Sequence, residues 1–235
     1  MTEKTLADWQ QAAADIRIDG RAFINGRRVD AASGQTRTTY NPATGQALAE
    51  VANCAPADAD EAVRIARETF WQGTWAGMPA AERKMVLVRW AELIEQHADE
   101  LALLETLDVG KPIADTVNVD VPSSVRTIRW TGEAIDKVYD QISPTRDNCM
   151  GLITRLPLGV VAAIVPWNFP LSTTAWKLAP ALATGNSVIL KPASNTPLTA
   201  LRIADLATQA GLPDGVLCAP RSPSGWRCCS ISRVG

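Results

Sequence analysis

The chain lacks what several function classes require. Lys and Arg total 23 against 25 Asp and Glu in 235 residues, a formal net charge of −2. No basic excess is left over to build a phosphate-tracking nucleic-acid surface, so no nucleic-acid partner is expected. No apolar run approaches the roughly 20 residues that span a bilayer, and the longest, Leu158 to Trp167, is about half that length. The start, Met1 to Ile18, mixes charged and small residues and has no apolar core of a secretory signal, so no membrane partner is expected and the cytoplasm is the default location. Histidine occurs once, as His97, on an apolar helical stripe. With no second ligand in view it reads as a packed or boundary side chain, not a metal ligand or base. The dinucleotide fingerprint G-x-G-x-x-G is absent, so a pyrophosphate site would have to lie elsewhere. Cysteines number five, an odd count, and Cys54 and Cys149 stand alone without a partner at metal or redox spacing.

What is present is an ordinary globular composition, 46% hydrophobic and 20% charged. From Phe23 to Gly45 short strands are broken by turns, with Asn25-Gly26 a hairpin signal and Asn41-Pro42 followed by Gly45 a second turn. Helices follow. Asp58 is a candidate cap for Ala59 to Phe70, where Val63, Ala66 and Phe70 form a stripe. After Pro79, Val86, Trp90, Leu93, Ile94, His97, Leu101 and Leu104 recur on one face until Gly110 and Pro112, which gives one long helix or two in tandem. Ser123 to about Tyr139 is a third helix, with Val125, Ile128, Ile135 and Tyr139 inward.

The period then changes to short runs rich in branched residues at Leu152 to Leu156, Val160 to Val165 and Ser187 to Leu190. Helical segments, Thr173 to Ala183 and Leu198 to Ala210, alternate with them. This is the grammar of an α/β fold with a doubly wound parallel sheet, whose ligands sit at the carboxyl ends of the strands. Two places follow from that rule. After the first strand, Asn168 stands between Pro166 and Pro170, where its amide could donate to a developing oxyanion or merely cap the next helix. After the second comes Lys191-Pro192-Ala193-Ser194, where Lys191 could reach ribose hydroxyls or phosphates, or be an ordinary surface lysine.

These residues carry a resemblance. Ile164 to Pro170, then Trp176-Lys177-Leu178 and Gly185 to Pro192, are similar to the central signature of the aldehyde dehydrogenase superfamily, and Phe23 to Gly26, Asn41 to Gly45 and Glu105 to Pro112 match it in order. Within the superfamily the wording is most similar to γ-glutamyl-γ-aminobutyraldehyde dehydrogenases of polyamine breakdown. The resemblance implies NAD or NADP as cofactor and a small-molecule aldehyde as substrate. It implies that Asn168 holds the oxyanion, with Lys177 supporting it. It further implies that Ile164, Val165, Pro166 and Trp167 form a wall against the cofactor and that Lys191 binds the adenosine ribose. At Ser194 many NAD-dependent members have glutamate. Residues 141–158 resemble an arm that bridges subunits, so a homo-oligomer is expected of the full-length form.

The resemblance covers about residue 20 to Leu217. Family members are roughly twice this long, a size that accommodates two domains, and their nucleophilic cysteine, glutamate base and G-S-T-x-x-G turn have no counterpart here. The expected organisation is an incomplete cofactor-binding domain: residues 1–140, an arm at 141–158, the first strand-helix units at 159–217, and a tail at 218–235, with the catalytic domain absent. The tail, with Cys218, Cys228 and Cys229, three Arg and no Asp or Glu in 18 residues, reads as out-of-frame sequence, with a zinc or redox tail as the alternative. On this reading the chain descends from an aldehyde-oxidising enzyme but does not turn over alone. The rivals are a non-catalytic nucleotide-binding or subunit-docking module and a pseudogene product.

Overall fold

The computed structural model describes residues 4–221. It begins with a helix the hydrophobic pattern did not announce, α1 (Leu6–Asp15), closed by a capping box in which the Thr5 backbone N–H donates to Asp8 at 2.7 Å and the Asp8 N–H to Thr5 Oγ1 at 3.3 Å. Two hairpins follow: β1 (Ala22–Ile24) with β2 (Arg27–Val29), and β3 (Thr36–Tyr40) with β4 (Ala47–Ala52). Asn25 and Gly26 turn the first with φ of 54° and 72°, the positive pair a two-residue hairpin of this hand requires.

Helix α2 (Pro56–Gln72) starts three residues before the sequence reading placed it. Ala55 is the cap residue, and Asp58 sits in the first turn, where its carboxylate accepts the N–H of Ala55 at 2.7 Å and of Ala32 at 2.8 Å. Of the expected inward stripe only Ala66 is fully buried; Ala62 and Thr69 join it, and Val63 and Phe70 lie at the boundary. The long periodic stretch is two helices, α3 (Ala80–Gln96) and α4 (Ala98–Val109), broken at His97. His97 is the boundary side chain the pattern implied, with Nδ1 2.9 Å from Glu100. Gly110 ends α4 at φ 82°, and a Cβ there would come within 2.7 Å of Pro42 Cγ, so glycine is required on two counts. A short α5 (Ile113–Asp115) and a π-helical turn, Thr116–Asp120, lead into α6 (Val121–Ala134). Here the sequence reading is corrected: the helix does not run to Tyr139, which is 76% exposed, because a 3-10 turn at Ile135–Lys137 redirects the chain outward.

That exit leads to the arm, a hairpin of β5 (Gln141–Ser143) and β6 (Gly151–Ile153). Strand β6 is shorter than the expected Leu152 to Leu156 run, since beyond Ile153 no partner strand remains. The parallel sheet then forms in the order β7 (Val160–Ile164), β8 (Ser187–Lys191), β9 (Leu217–Cys218), with α7 (Pro170–Ala183) and α8 (Leu198–Gln209) as the connections. Strand β8 shows why the sheet is covered twice. Val188 and Leu190 join the core with Leu178, Leu182 and Leu201 of α7 and α8, whereas Ile189 between them packs with Ala62 and Ala66 of α2. A strand buried on both faces needs a continuous apolar run, and each such side chain removed from water contributes about 1.5–3 kcal/mol.

The boundary placed after Leu217 is not a boundary in the packing. Cys218 completes β9, the Ala219 N–H donates to the Phe23 carbonyl at 2.6 Å, and Arg221 is 1% exposed. Cys228, Cys229 and the rest of the expected tail lie outside the described residues. Among the described residues no helix is long and apolar enough to cross a membrane.

Candidate active site

The parallel register sets Ile164 opposite Lys191, so the two loops marked out by the sequence leave the sheet side by side at its carboxyl edge. The Val165 N–H extends the ladder by donating to the Lys191 carbonyl at 3.1 Å, and Thr196 Oγ1 donates to the Trp167 carbonyl at 3.2 Å, tying one loop to the other. Within 164–168 only Val165, 3% exposed, turns inward, while Ile164 at 52% and Trp167 at 61% present apolar surface outward.

Asn168 is exposed, and among the described residues no hydrogen bond engages its side chain. The helix-cap alternative fails on geometry. Phe169 is the cap residue of α7 and no side chain caps it locally. The amide is left with both donors free for another acceptor. Lys177 is exposed on α7, two turns further on, and no hydrogen bond joins its Nζ to a described residue, so the structure does not itself bring it together with Asn168.

Lys191 is part-buried, and burial, with the nearby Arg221 charge second, lowers its pKa from the usual lysine value. Ser194 is also part-buried, its carbonyl accepting from Arg221 Nη2 at 2.8 Å. Behind this loop lies a cavity of about 420 Å³, lined by Arg37, Thr39, Asp108, Trp167, Ser194 and Thr196 among others. A larger one, about 600 Å³, lies between α2 and the first hairpin, where Arg64 is already paired with Glu61 and Glu68. It is remote from the carboxyl edge of the sheet.

Sequence reasoning missed two buried carboxylates on α4. Glu105, fully buried, accepts the Leu171 N–H at 3.2 Å and the Thr199 hydroxyl at 2.8 Å. Asp108, 2% exposed, accepts the Leu198 N–H at 2.9 Å and the Thr39 hydroxyl at 3.3 Å. They satisfy the first turns of α7 and α8, neither of which has a local side-chain cap. Burial pushes their pKa values up, to about 7 for Glu105 and about 8 for Asp108, against the pull of those hydrogen bonds. The signal was available: an acidic pair at i and i+3 on the face that also carries Leu101 and Leu104. Burial also pushes the thiols of Cys54 and Cys218 up to about 11, so both stay protonated and poorly nucleophilic at neutral pH.

A model of the aldehyde dehydrogenase family matches residues 29–221. The chain is 52% identical over 212 residues to the NADP/NAD-dependent aldehyde dehydrogenase PuuC of Escherichia coli, covering 90% of this chain and 43% of that protein. It is 48% identical to the aminoacetaldehyde dehydrogenase of Pseudomonas aeruginosa, covering 89% of this chain and 42% of that one. Among solved structures, an indole-3-acetaldehyde dehydrogenase complexed with NAD+ superposes with a TM-score of 0.92 at 54% identity, over 94% of this chain and 44% of that one. The γ-glutamyl-γ-aminobutyraldehyde dehydrogenase of Burkholderia cenocepacia does so at 0.92 and 53%, over 93% and 44%. The chain thus spans less than half the length of these relatives.

Proposed function

The chain belongs to the aldehyde dehydrogenase family, and we propose that it supplies the adenosine-side cofactor surface and the oxyanion-holding Asn168 of an enzyme that oxidises an aldehyde to its acid with NAD or NADP. The observation that carries the reading is the Ile164–Lys191 register, which places the Asn168 loop and the Lys191–Ser194 loop at one sheet edge. The donor set suits an adenosine ribose. A partly desolvated ammonium and a hydroxyl, Lys191 and Ser194, can donate to vicinal hydroxyls, and the outward Ile164 and Trp167 give apolar surface beside them. A nicotinamide held here would supply the hydride acceptor. The free Asn168 amide would stabilise the oxyanion formed as a thiolate adds to the aldehyde carbonyl. An ω-amino or γ-glutamylamino aldehyde is the proposed substrate, supported by the names of two relatives, with an indole aldehyde, named for a third, as the competing candidate. In the whole protein the 141–158 hairpin, with Ile142, Leu152, Leu156 and Leu158 exposed, is the expected contact between copies in a cytoplasmic homo-oligomer.

Among the described cysteines, Cys54 and Cys218 are buried and Cys149 lies in the turn of the arm hairpin between β5 and β6, so this chain by itself is expected to bind without turning over. The test measures the two separately. ADP-ribose binding is followed by calorimetry and is expected to weaken in Lys191→Met; aldehyde-dependent reduction of NAD or NADP is expected to stay at the blank. Turnover abolished by Asn168→Ala would overturn the division of labour. Absence of ADP-ribose binding would overturn the cofactor surface and leave the docking role.

A further inference from the structure

The proposed role of Asn168 requires an exposed loop to hold one side chain still, and three contacts from outside the sheet flank it. On one side of Asn168 the Trp167 carbonyl is fixed by Thr196. On the other, Lys111 Nζ lies 3.6 Å from the centre of the Phe169 ring, and two residues on, the Leu171 N–H is fixed by Glu105. Lys111 is itself held. Its Nζ is 2.9 Å from Asp120 Oδ2, and Asp120, 2% exposed, ends the π-helical turn Thr116–Asp120. A π-helical turn changes the angular register of a helix, and here it ends on the residue that pairs with Lys111. The ammonium therefore has one fixed anion and one aromatic face, a geometry in which a partly desolvated cation–π contact gains strength.

Glu105 does more than close one helix. Its two oxygens serve Leu171 of α7 and Thr199 of α8, so the helices that follow the two loops are joined through one carboxylate. Lys111 and Glu105 both come from the C-terminal end of α4 and the turn after it. One segment thus contacts both the first turn of α7 and the ring before it. Asn168, between those points, has little freedom left for its backbone while its amide stays unengaged.

We propose that Lys111 and Glu105 are positioning residues that aim Asn168, Lys111 through the Phe169 ring and Glu105 through the start of α7. The inference rests on the oxyanion reading for its purpose but not for its test, which needs no turnover. Backbone 15N order parameters are measured on the chain and on Lys111→Met, Lys111→Arg and Phe169→Leu. Trp167, Asn168 and Phe169 are expected near the rigid value of about 0.85 in the parent and in Lys111→Arg, and below about 0.6 in Lys111→Met and Phe169→Leu, with β8 amides unchanged. If Lys111→Met loosens the whole chain because Asp120 loses its partner, Phe169→Leu decides, since it removes the ring and leaves the ion pair. A loop as rigid in Phe169→Leu as in the parent overturns the role of Lys111. Loss of the Leu171 amide's distinct shift in Glu105→Ala but not in Glu105→Gln supports the role of Glu105, and an unmoved Leu171 signal in both overturns it. A failure of Asn168 in catalysis would leave these signals untouched, so the two ideas fail separately.

Discussion

Replacing Asn186 by alanine should be among the most damaging polar substitutions in the chain. The side chain is 4% exposed and fully engaged: Oδ1 accepts the N–H of Leu158 at 2.7 Å and of Gly159 at 3.0 Å, and Nδ2 donates to the Ala181 carbonyl at 3.0 Å and to Thr184 Oγ1 at 2.8 Å. It thereby substitutes for a sheet partner at the point where the arm becomes β7. Alanine strands the Gly159 N–H in a buried position, which costs about 1–3 kcal/mol. The Leu158 N–H can reach water, and the Ala181 carbonyl keeps a second donor in the Asn186 N–H, so those losses are nearer 0.5–1 kcal/mol together. The sum, about 1.5–4 kcal/mol, is a large part of the 5–15 kcal/mol typical of a domain. Urea unfolding followed by tryptophan fluorescence should show a lower midpoint at unchanged m-value. Thr184→Ala, which removes only the one exposed partner, should cost less than about 1 kcal/mol. If Asn186→Ala lies within about 0.5 kcal/mol of the parent, the orphaned amide is being satisfied some other way and the reasoning is refuted.

Two further outcomes follow from the site. Glu105 and Asp108 have folded pKa values raised to about 7 and about 8, so their stabilising contribution is complete below the unfolded carboxylate value and is lost as pH rises through 7 and 8. Unfolding free energy should therefore fall between pH 5 and 8, and Glu105→Gln should flatten that slope; equal slopes in both proteins would show that Glu105 is ionised throughout. The second concerns cofactor choice, in a hybrid joining residues 1–217 to the remaining sequence of the Escherichia coli relative. With serine at 194 beside Lys191, both NAD and NADP should be used, and Ser194→Glu should shift kcat/KM toward NAD by about 1–3 kcal/mol, since its charge meets the 2′-phosphate partly screened by water. A parent hybrid that already rejects NADP would place the choice outside these residues.

Much of the element order, and the two loops where chemistry is to be sought, can be read from the residues alone. Alternation of branched runs with helical ones identified β7, α7, β8 and α8, and the rule for parallel sheets then directed attention to Asn168 and Lys191 before any contact was known. Asn25-Gly26 and Gly110 announced their turns because each needs a positive φ that few residues adopt. Where a local signal was read by its commonest meaning it misled. Asp58 reads as a cap by residue type but lies in the first turn and accepts the N–H groups of Ala55 and Ala32, and the apolar spacing through Tyr139 hides the point where the chain leaves the core. Periodicity reports that a side chain is apolar, not that something lies opposite it.

The packed fold was needed to remove the helix-cap meaning of Asn168, because capping depends on where α7 begins, and its first turn is hydrogen-bonded by Glu105 from 66 residues away. It also decided that Arg221, in a segment of altered composition, packs against Ser194 and Ala52. Such pairings leave no trace in spacing along the chain. A buried carboxylate or guanidinium must find its hydrogen-bond partners wherever the fold puts them, and here those of Glu105 lie on α7 and α8 and those of Arg221 on β4 and the loop after β8.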